Sequence, residues 1–230
     1  MKSWDLLPEF MRVPEVKPYW QSLYSKRFQL VLKRIFDFTV ALIILIVMAL
    51  PMAILAILIK ADSKGPVLFR QERVTTYGKH FRIHKFRTMV ENADKLGAAV
   101  TSDNDNRITK IGSFLRNTRL DEIPQLIDVL SGNMSFVGTR PEALKYVKAY
   151  KPEYFATLLL PAGITSKASI AYKDEALLLT SGGDIEGKYI DVVLPEKMKI
   201  NLAALNNFSI FDDLSVMFKT VFAVLKRETD

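Results

Sequence analysis

Cysteine is absent from this chain, so neither a disulfide nor a thiolate metal site can form. Two phosphate-binding patterns are also missing. There is no Gly-x-x-x-x-Gly-Lys-Ser/Thr loop of P-loop enzymes and no Gly-x-Gly-x-x-Gly turn of dinucleotide-binding domains. The two histidines, His80 and His84, lie in a stretch that alternates like a strand, which argues against a metal site. No serine motif indicates a Ser-His-Asp nucleophile. Carboxylates and cations remain as the groups that could carry chemistry.

The balance of charge is basic. The chain has 32 Lys and Arg against 25 Asp and Glu, a formal net charge of +7 and a pI near 9.4. Such an excess indicates a phosphate-rich partner, with nucleic acid, anionic lipid and nucleotides as the candidate classes. The length of 230 residues predicts one main domain with an appended segment.

One long uncharged run occupies residues 38 to 59. Its 22 or so residues would extend roughly 33 Å as a helix, enough to cross a bilayer. A fully apolar helix of this length is unusual as the core of so small a domain, so we expect it to enter a membrane. Pro51 lies inside the run and predicts a kink, because it removes a backbone hydrogen bond.

The charges on either side of this run do not favour either orientation. Four Lys or Arg residues precede it and four follow it closely, whereas a spanning helix normally has more on its cytoplasmic side. We therefore predict a re-entrant helix that bends at Pro51 and returns to the cytoplasmic face. A plain spanning helix is the alternative that the sequence leaves open.

The predicted fold class is α+β and mainly helical, in three parts. Residues 1–25 combine aromatic residues with three prolines, which predicts an ordered extension lying on the domain or on the membrane surface. Residues 26–62 form the membrane-inserted helix. Residues 63–230 form a cytoplasmic catalytic domain.

A β-hairpin is predicted between residues 66 and 89, with a turn around Tyr77-Gly78-Lys79. Phe81, Ile83, Lys85 and Arg87 would share one face of its second strand. Alternating aromatic and basic residues also occur in proteins that bind single-stranded nucleic acid. An ordinary strand pair with a solvated basic face explains the pattern equally well.

Residues 114–126 hold the adjacent carboxylates Asp121 and Glu122, with Arg116 and Arg119 before them. Apolar spacing predicts a helix from about residue 122 to 130, with Asp121 at or beside its N-cap. Adjacent carboxylates repel unless a cation compensates them, and a carboxylate can attack phosphorus. The stretch therefore indicates phosphate chemistry with Mg²⁺. A charged helix start with surface ion pairs is the alternative.

Two amphipathic segments are predicted in the tail, at residues 195–205 and 212–225. Core packing and an interfacial position in the lipid headgroup layer both suit their apolar stripes, and we adopt the interfacial interpretation. Between residues 180 and 184 a Gly-rich sequence predicts a flexible loop.

Seven motifs in this chain resemble, in the same order, those of the bacterial sugar transferases, the monotopic polyprenyl-phosphate phosphoglycosyl transferases. The resemblance is dense over about residues 26 to 142 and looser to residue 225. The small single-domain members are the most similar. The motifs are Lys33-Arg34-Ile-Phe-Asp37, Gly65-Pro-Val-Leu-Phe-Arg-Gln-Glu-Arg-Val74, Phe81-Arg-Ile-His-Lys-Phe-Arg-Thr-Met89, Arg107-Ile-Thr-Lys-Ile-Gly112, Phe114-Leu-Arg116, Leu120-Asp-Glu-Ile-Pro-Gln-Leu126 and Asn133-Met-Ser-Phe-Val-Gly138.

The resemblance implies a two-step transfer of a sugar phosphate from a UDP-sugar to polyprenyl (undecaprenyl) phosphate, with release of UMP. Asp121 would be the nucleophile that carries the phosphosugar, and Glu122 its partner, with Mg²⁺ as cofactor held by both. It also implies an inner-membrane, cytoplasmic-face location and a role in starting a surface glycan. The residues expected to bind substrate are Lys85, Arg87, Arg116, Arg119, Arg140 and Pro141.

The chain departs from the family at two positions of interest. Thr139 stands where the family's Pro-Arg-Pro turn begins with proline, and Leu50 stands where small members often have serine before Pro51. The expected partners are a UDP-sugar, polyprenyl phosphate and the membrane. Nucleic acid is not expected as a partner, and a homo-oligomer is compatible with the sequence. Two alternatives from other classes stay open, a membrane-tethered basic module for nucleic acid or anionic lipid, and a structural adaptor. No motif identifies the sugar, and residues 143–190 are the region where we expect that selectivity.

Overall fold

The computed structural model describes residues 1–93, 105–172 and 185–226. The predicted loop at residues 180–184 lies outside these ranges. The expected α+β class with mainly helical content is confirmed. The α-helices are α1 (Lys17–Ser25), α2 (Arg27–Val47), α3 (Ala49–Asp62), α4 (Lys110–Asn117), α5 (Leu126–Leu130), α6 (Leu144–Val147), α7 (Lys167–Ala171), α8 (Ile185–Lys188), α9 (Leu194–Asn206) and α10 (Ile210–Lys226). The strands are β1 (Leu68–Val74), β2 (His80–Phe86), β3 (Met134–Val137) and β4 (Ala162–Thr165).

The strands form two small sheets. β1 and β2 pair antiparallel from Leu68↔Phe86 to Val74↔His80, which confirms the predicted hairpin. β3 and β4 pair in parallel, a contact between segments far apart in sequence that was not predicted. Gly138 and Gly163 allow the chain to pass closely beside this pair, since a Cβ on Gly163 would lie 2.2 Å from the amide nitrogen of Gly138.

The N-terminal segment packs on the domain as part of its largest core. Leu7, Met11, Val16 and Leu23 are buried there. Phe10 packs edge-on against a ring of the 3₁₀ segment Pro152–Leu159. The apolar contacts explain why a proline-rich segment is ordered even though it lacks a long helix.

α2 and α3 form a bent helix pair. Among the described residues no single helix is long and apolar enough to span a bilayer, but the pair meets that test together, with a bend of 61°. The break falls at Met48 and not at Pro51, which was the predicted position. The reason is that a proline ring clashes with the carbonyl four residues earlier, here that of Val47. Pro51 itself is tolerated in the first turn of α3.

The carboxylates Asp121 and Glu122, hereafter the dyad, lie in a 3₁₀ segment, Leu120–Gln125, that precedes α5. The predicted helix start at about residue 122 and the N-cap position of Asp121 were therefore wrong. Arg119 caps the segment in the left-handed conformation, φ 58°, and reverses the chain after α4. Pro124 cannot donate to the carbonyl four residues before it, so the α pattern begins only at Leu126.

The two tail helices differ in burial. α9 packs into the core, so its predicted interfacial position was wrong. Its buried residues are Leu194, Lys197, Met198, Asn201, Leu202 and Leu205. In α10, Val216 is buried while Phe218, Val221 and Phe222 are exposed. Core packing therefore does not account for the apolar stripe of α10.

Two residues of the bent helix pair hold the outer ends of the two helices that flank the dyad. Arg34 of α2 donates from Nη1 to the carbonyl of Val129 at 2.5 Å and from Nη2 to that of Leu130 at 2.9 Å. Asp62, the last residue of α3, accepts from the amide of Ile111 at 3.0 Å. Helix ends have unpaired backbone groups, and a cation suits the C-terminus and an anion the N-terminus. We call Arg34 and Asp62 the helix-end clamp.

The clamp predicts the effect of Arg34→Met. The carbonyls at the end of α5 would lose a charged donor, so opening of residues 126–132 should become easier by about 1.5–3 kcal/mol. Hydrogen exchange of those amides would then be roughly ten- to a hundredfold faster. Arg27→Met, an exposed arginine of the same helix, is the control. Equal protection in the two variants would contradict the clamp.

Candidate active site

Glu122 is held by two cations. Its Oε1 accepts from Lys85 Nζ at 2.6 Å and from Arg140 Nη2 at 2.8 Å, and its side chain is 13% exposed. Lys85 comes from β2 and Arg140 from the turn after β3. Burial alone would raise the pKa of Glu122, but Arg140 and Lys85 outweigh it and hold that pKa well below its usual range. Glu122 is therefore a fixed anion at neutral pH.

Asp121 is in the opposite electrostatic position. Burial, and next the negative charge of Glu122, raise the pKa of its carboxyl. Lys85, Arg119 and Arg116 oppose that rise. Two adjacent carboxyls whose pKa values are pushed apart are typical of sites in which the two groups do different work. Here Glu122 organises cations, and Asp121 is the carboxyl whose charge is least compensated.

The other predicted arginines near the dyad have distinct surroundings. Arg116 donates from Nε to the hydroxyl of Thr88 at 2.9 Å, and its charge acts on Asp121. Arg119 is exposed and lines the cleft described below. The structure therefore brings Lys85, Arg116, Arg119 and Arg140 around the dyad, as the sequence predicted. Pro141, the buried residue after Arg140, completes the turn.

Arg87 has its contacts elsewhere. Its Nη2 donates to the carbonyls of Ile59 and Ser63 at 3.3 and 2.7 Å, at the end of α3. The guanidinium is buried, so it ties the end of the bent helix pair to β2 two residues after Lys85. The structure does not bring Arg87 to the dyad. The resemblance to the family had placed it among the expected substrate-binding residues.

A cleft of about 560 Å³ opens beside the dyad. Glu122 lines it together with the cations Arg119, Arg140 and Lys197. Its other walls are largely apolar and include one residue of α2 and two of α10. These apolar residues are Ile44, Ile123, Leu126, Phe136, Ile164, Ile170 and Ala223. A ligand with an anionic end and an apolar end would match such a lining.

Three further polar residues near the cleft were not predicted from the sequence. Glu142, Tyr189 and Lys197 are buried and in contact with one another. Glu142 directly follows Arg140-Pro141, a spacing that could have drawn attention to it. Tyr189 and Lys197 belong to no motif, and only the packing of α9 brings them here. The histidines have ordinary roles, since His84 contacts Asp128 and His80 contacts Glu72.

The fold and the site together define a class of protein. A carboxylate pair surrounded by cations lies beside a cleft that reaches an apolar, bent helix pair, which suits a phosphate-bearing substrate at a membrane surface. The family model described as bacterial sugar transferase matches residues 28–227. The chain belongs to the bacterial sugar transferase family.

Three curated relatives show what the chain is similar to. It is 34% identical over 84% of its length to a UDP-N-acetylgalactosamine-undecaprenyl-phosphate N-acetylgalactosaminephosphotransferase of Aeromonas hydrophila. It is 37% identical over 84% of its length to a UDP-glucose:undecaprenyl-phosphate glucose-1-phosphate transferase of Klebsiella pneumoniae. The chain covers 44% and 40% of those two proteins. It is 37% identical to the exopolysaccharide production protein PSS of Rhizobium leguminosarum bv. phaseoli, over 86% of this chain and 97% of that protein.

The electrostatics of the dyad predict the effect of Glu122→Gln. Because the charge of Glu122 raises the pKa of Asp121, a neutral amide should lower it, and the freed Lys85 should lower it further. The expected result is a lower pKa of Asp121 in the variant than in the unaltered chain. It can be measured from the pH dependence of carbodiimide labelling of Asp121, located by peptide mass spectrometry.

Glu72→Gln is the matched control, because Glu72 is an exposed carboxylate paired with His80 on the hairpin. It should leave the pKa of Asp121 unchanged. An unchanged or higher pKa of Asp121 in Glu122→Gln would show that the two carboxyls are not coupled as described.

Proposed function

We propose that the protein is a phosphoglycosyl transferase, which moves a sugar 1-phosphate from a UDP-sugar to polyprenyl (undecaprenyl) phosphate and releases UMP. The observation that carries the proposal is the dyad, in which Glu122 holds two cations and Asp121 has a raised pKa beside a cleft with cationic and apolar walls. The names of two relatives, which include a UDP-sugar and undecaprenyl phosphate, support the same reaction class. The product would begin a surface glycan.

The proposed reaction has two steps at one phosphorus atom. A carboxylate oxygen of Asp121 attacks the phosphorus that bears the sugar. The bond from that phosphorus to the bridging oxygen breaks, and its electron pair leaves with UMP. An oxygen of the polyprenyl phosphate then attacks the same phosphorus. The bond to Asp121 breaks and returns the carboxylate, leaving polyprenyl-diphosphate-sugar.

The surrounding residues prepare this chemistry by position and charge. Asp121 must be ionised to attack, and Lys85, Arg116 and Arg119 favour that form against the effects of burial and Glu122. Glu122 fixes Lys85 and Arg140 by ion pairs, and Arg140 lines the cleft, where it can face phosphate oxygens. Preorganised cations of this kind stabilise the charge that develops as phosphorus is attacked.

Magnesium is the proposed cofactor, and the donor set can be tested for fit. Within the described ranges no group of three or more His, Cys, Asp or Glu could hold a metal ion. Mg²⁺ commonly takes one or two carboxylates and completes its shell with substrate phosphates and water. The adjacent carboxyls of Asp121 and Glu122 fit that pattern. When bound, the ion would neutralise charge on the diphosphate.

We further propose that the bent helix pair is re-entrant and holds the protein on the cytoplasmic face of the bacterial inner membrane. Many large apolar side chains of α2 and α3 are exposed, and so are Phe218 and Phe222 of α10. Exposed apolar surface of this extent is costly in water and suits lipid. The bend of 61° allows the pair to enter and leave on one side.

The first test follows the first half of the reaction. The protein is incubated with Mg²⁺ and a panel of UDP-sugars, without lipid acceptor. We expect release of about one UMP per enzyme and a phosphosugar adduct on Asp121, by mass spectrometry. The rate should fall as the pH drops through the raised pKa of Asp121, because the protonated carboxyl cannot attack.

Asp121→Asn should abolish both UMP release and the adduct. Asp191→Asn changes an exposed carboxylate and should leave both intact. If no sugar in a broad panel gives an adduct with the unaltered chain, the proposal fails. Salt-sensitive affinity for nucleic acid or anionic vesicles without UMP release would favour a basic binding module instead.

The second test concerns topology, and the absence of native cysteine makes it simple. Gln29→Cys and Lys64→Cys, both at exposed positions flanking the pair, should react with a thiol reagent added to the cytoplasmic side of oriented vesicles. Val47→Cys, at the bend, should be protected by lipid. Labelling of either flank from the periplasmic side would exclude the re-entrant arrangement.

A further inference from the structure

A second buried ion cluster lies next to the dyad. Tyr189 donates from its hydroxyl to Glu142 Oε1 at 2.6 Å, and Lys197 Nζ donates to the same hydroxyl at 3.2 Å. Lys197 Nζ is also 3.8 Å from Glu142 Oε1. The side chains of Lys197 and Glu142 are only 7% and 8% exposed. Burying a lysine is costly unless it is paired, so its position here is well determined.

This cluster joins the dyad through Arg140. Glu122 binds Arg140 from one side. Two residues after Arg140, Glu142 turns its carboxylate toward Tyr189 and Lys197, and Arg73 lies within electrostatic range of both Glu142 and Arg140. Two carboxylates thus hold the turn that carries Arg140. Glu122 pairs with Arg140 itself, and Glu142 contacts Tyr189 and Lys197.

Among the described residues of the combined site, cations outnumber carboxylates. The carboxylates are Asp121, Glu122 and Glu142. The cations that interact with them are twice as many, namely Arg73, Lys85, Arg116, Arg119, Arg140 and Lys197. Such an excess in a partly buried site favours bound anions. It exceeds what a single phosphate group would balance.

Lys197 is placed to use that excess, because it lines the same cleft as Arg140, Arg119 and Glu122. The charges that shift the pKa of Asp121 are those of Glu122, Lys85, Arg119 and Arg116. Lys197 belongs instead to the group around Glu142, on the other side of Arg140. The cleft is therefore lined both by Arg119, whose charge acts on Asp121, and by Lys197, which belongs to the Glu142 cluster.

We propose that Lys197 binds the phosphate that stays with the leaving nucleotide, while the cations around Asp121 hold the phosphate that reacts. The proposal rests on the proposed function. As the oxygen of Asp121 bonds to the reacting phosphorus, the electron pair of the broken bond moves to the bridging oxygen, which remains on UMP. The Lys197 ammonium faces that phosphate. Tyr189 and Glu142 are positioning residues that hold the ammonium in place.

The test uses the full chain in bilayer nanodiscs and compares Lys197→Met with Lys197→Arg. Loss of a charge-assisted contact should raise the KM for UDP-sugar and the dissociation constant of UMP roughly ten- to a hundredfold. Lys197→Arg should restore both to within a few-fold. The KM for polyprenyl phosphate should stay unchanged, because the phosphate bound by Lys197 has left by then.

Two other variants separate binding from folding. Lys199→Met changes an exposed lysine of the same helix and should leave the kinetics and the UMP affinity unchanged. Tyr189→Phe removes the hydroxyl that holds Lys197 and should weaken UMP binding by less than Lys197→Met. Thermal unfolding of each variant shows whether it has lost its fold. Recovery of UMP binding in Lys197→Arg then tests whether the positive charge is the property that binds the nucleotide.

Three results would overturn the inference. The first is a UMP affinity unchanged in a folded Lys197→Met protein. The second is an increase in the KM for polyprenyl phosphate alone, which would assign the cation to the acceptor. The third is a fall in kcat that Lys197→Arg does not rescue and that leaves UMP binding intact. Absence of UMP release from the unaltered chain would instead overturn the proposed function, and UMP binding measured by calorimetry keeps the two failures distinct.

Discussion

The helix-end clamp is the constraint on which the rest of the structure depends. α4 and α5 are short, and short helices are marginal without outside support. Their outer ends are held by Asp62, the last residue of α3, and by Arg34, in the first half of α2. The position of the dyad segment between them therefore depends on the bent helix pair. Arg87 adds a third tie, from the end of α3 to the strand that carries Lys85.

This arrangement joins two requirements that usually conflict. In the proposed reaction, a carboxylate nucleophile needs low solvent exposure to be reactive and cations to remain ionised. Glu122 resolves the conflict by holding Lys85 and Arg140 in ion pairs, and Lys85 also acts on Asp121. The charge of Asp121 is then compensated by cations less completely than the charge of Glu122. Because these residues share partners, a substitution at one of them changes the electrostatic environment of the others.

Most of the correct predictions came from local sequence patterns. The hairpin follows from alternation and a glycine turn, and the dyad with its arginines follows from one short stretch. The errors came from contacts that no local pattern contains. The parallel pairing of β3 with β4, the core position of α9 and the cluster of Glu142 with Lys197 all join segments distant in sequence. Arg87 was expected among the substrate-binding residues, but its contacts lie at the end of α3.

The burial of the N-terminal segment has a consequence for the order of assembly during synthesis. Ser22 and Lys26 bind backbone carbonyls of residues 206 and 208, more than 180 positions later in the chain. Leu7, Met11 and Leu23 therefore leave the ribosome long before their partners exist. The bent helix pair follows them directly and offers the nearest apolar surroundings. Early contact of that pair with a bilayer would keep the first residues beside the surface on which the domain later closes over them.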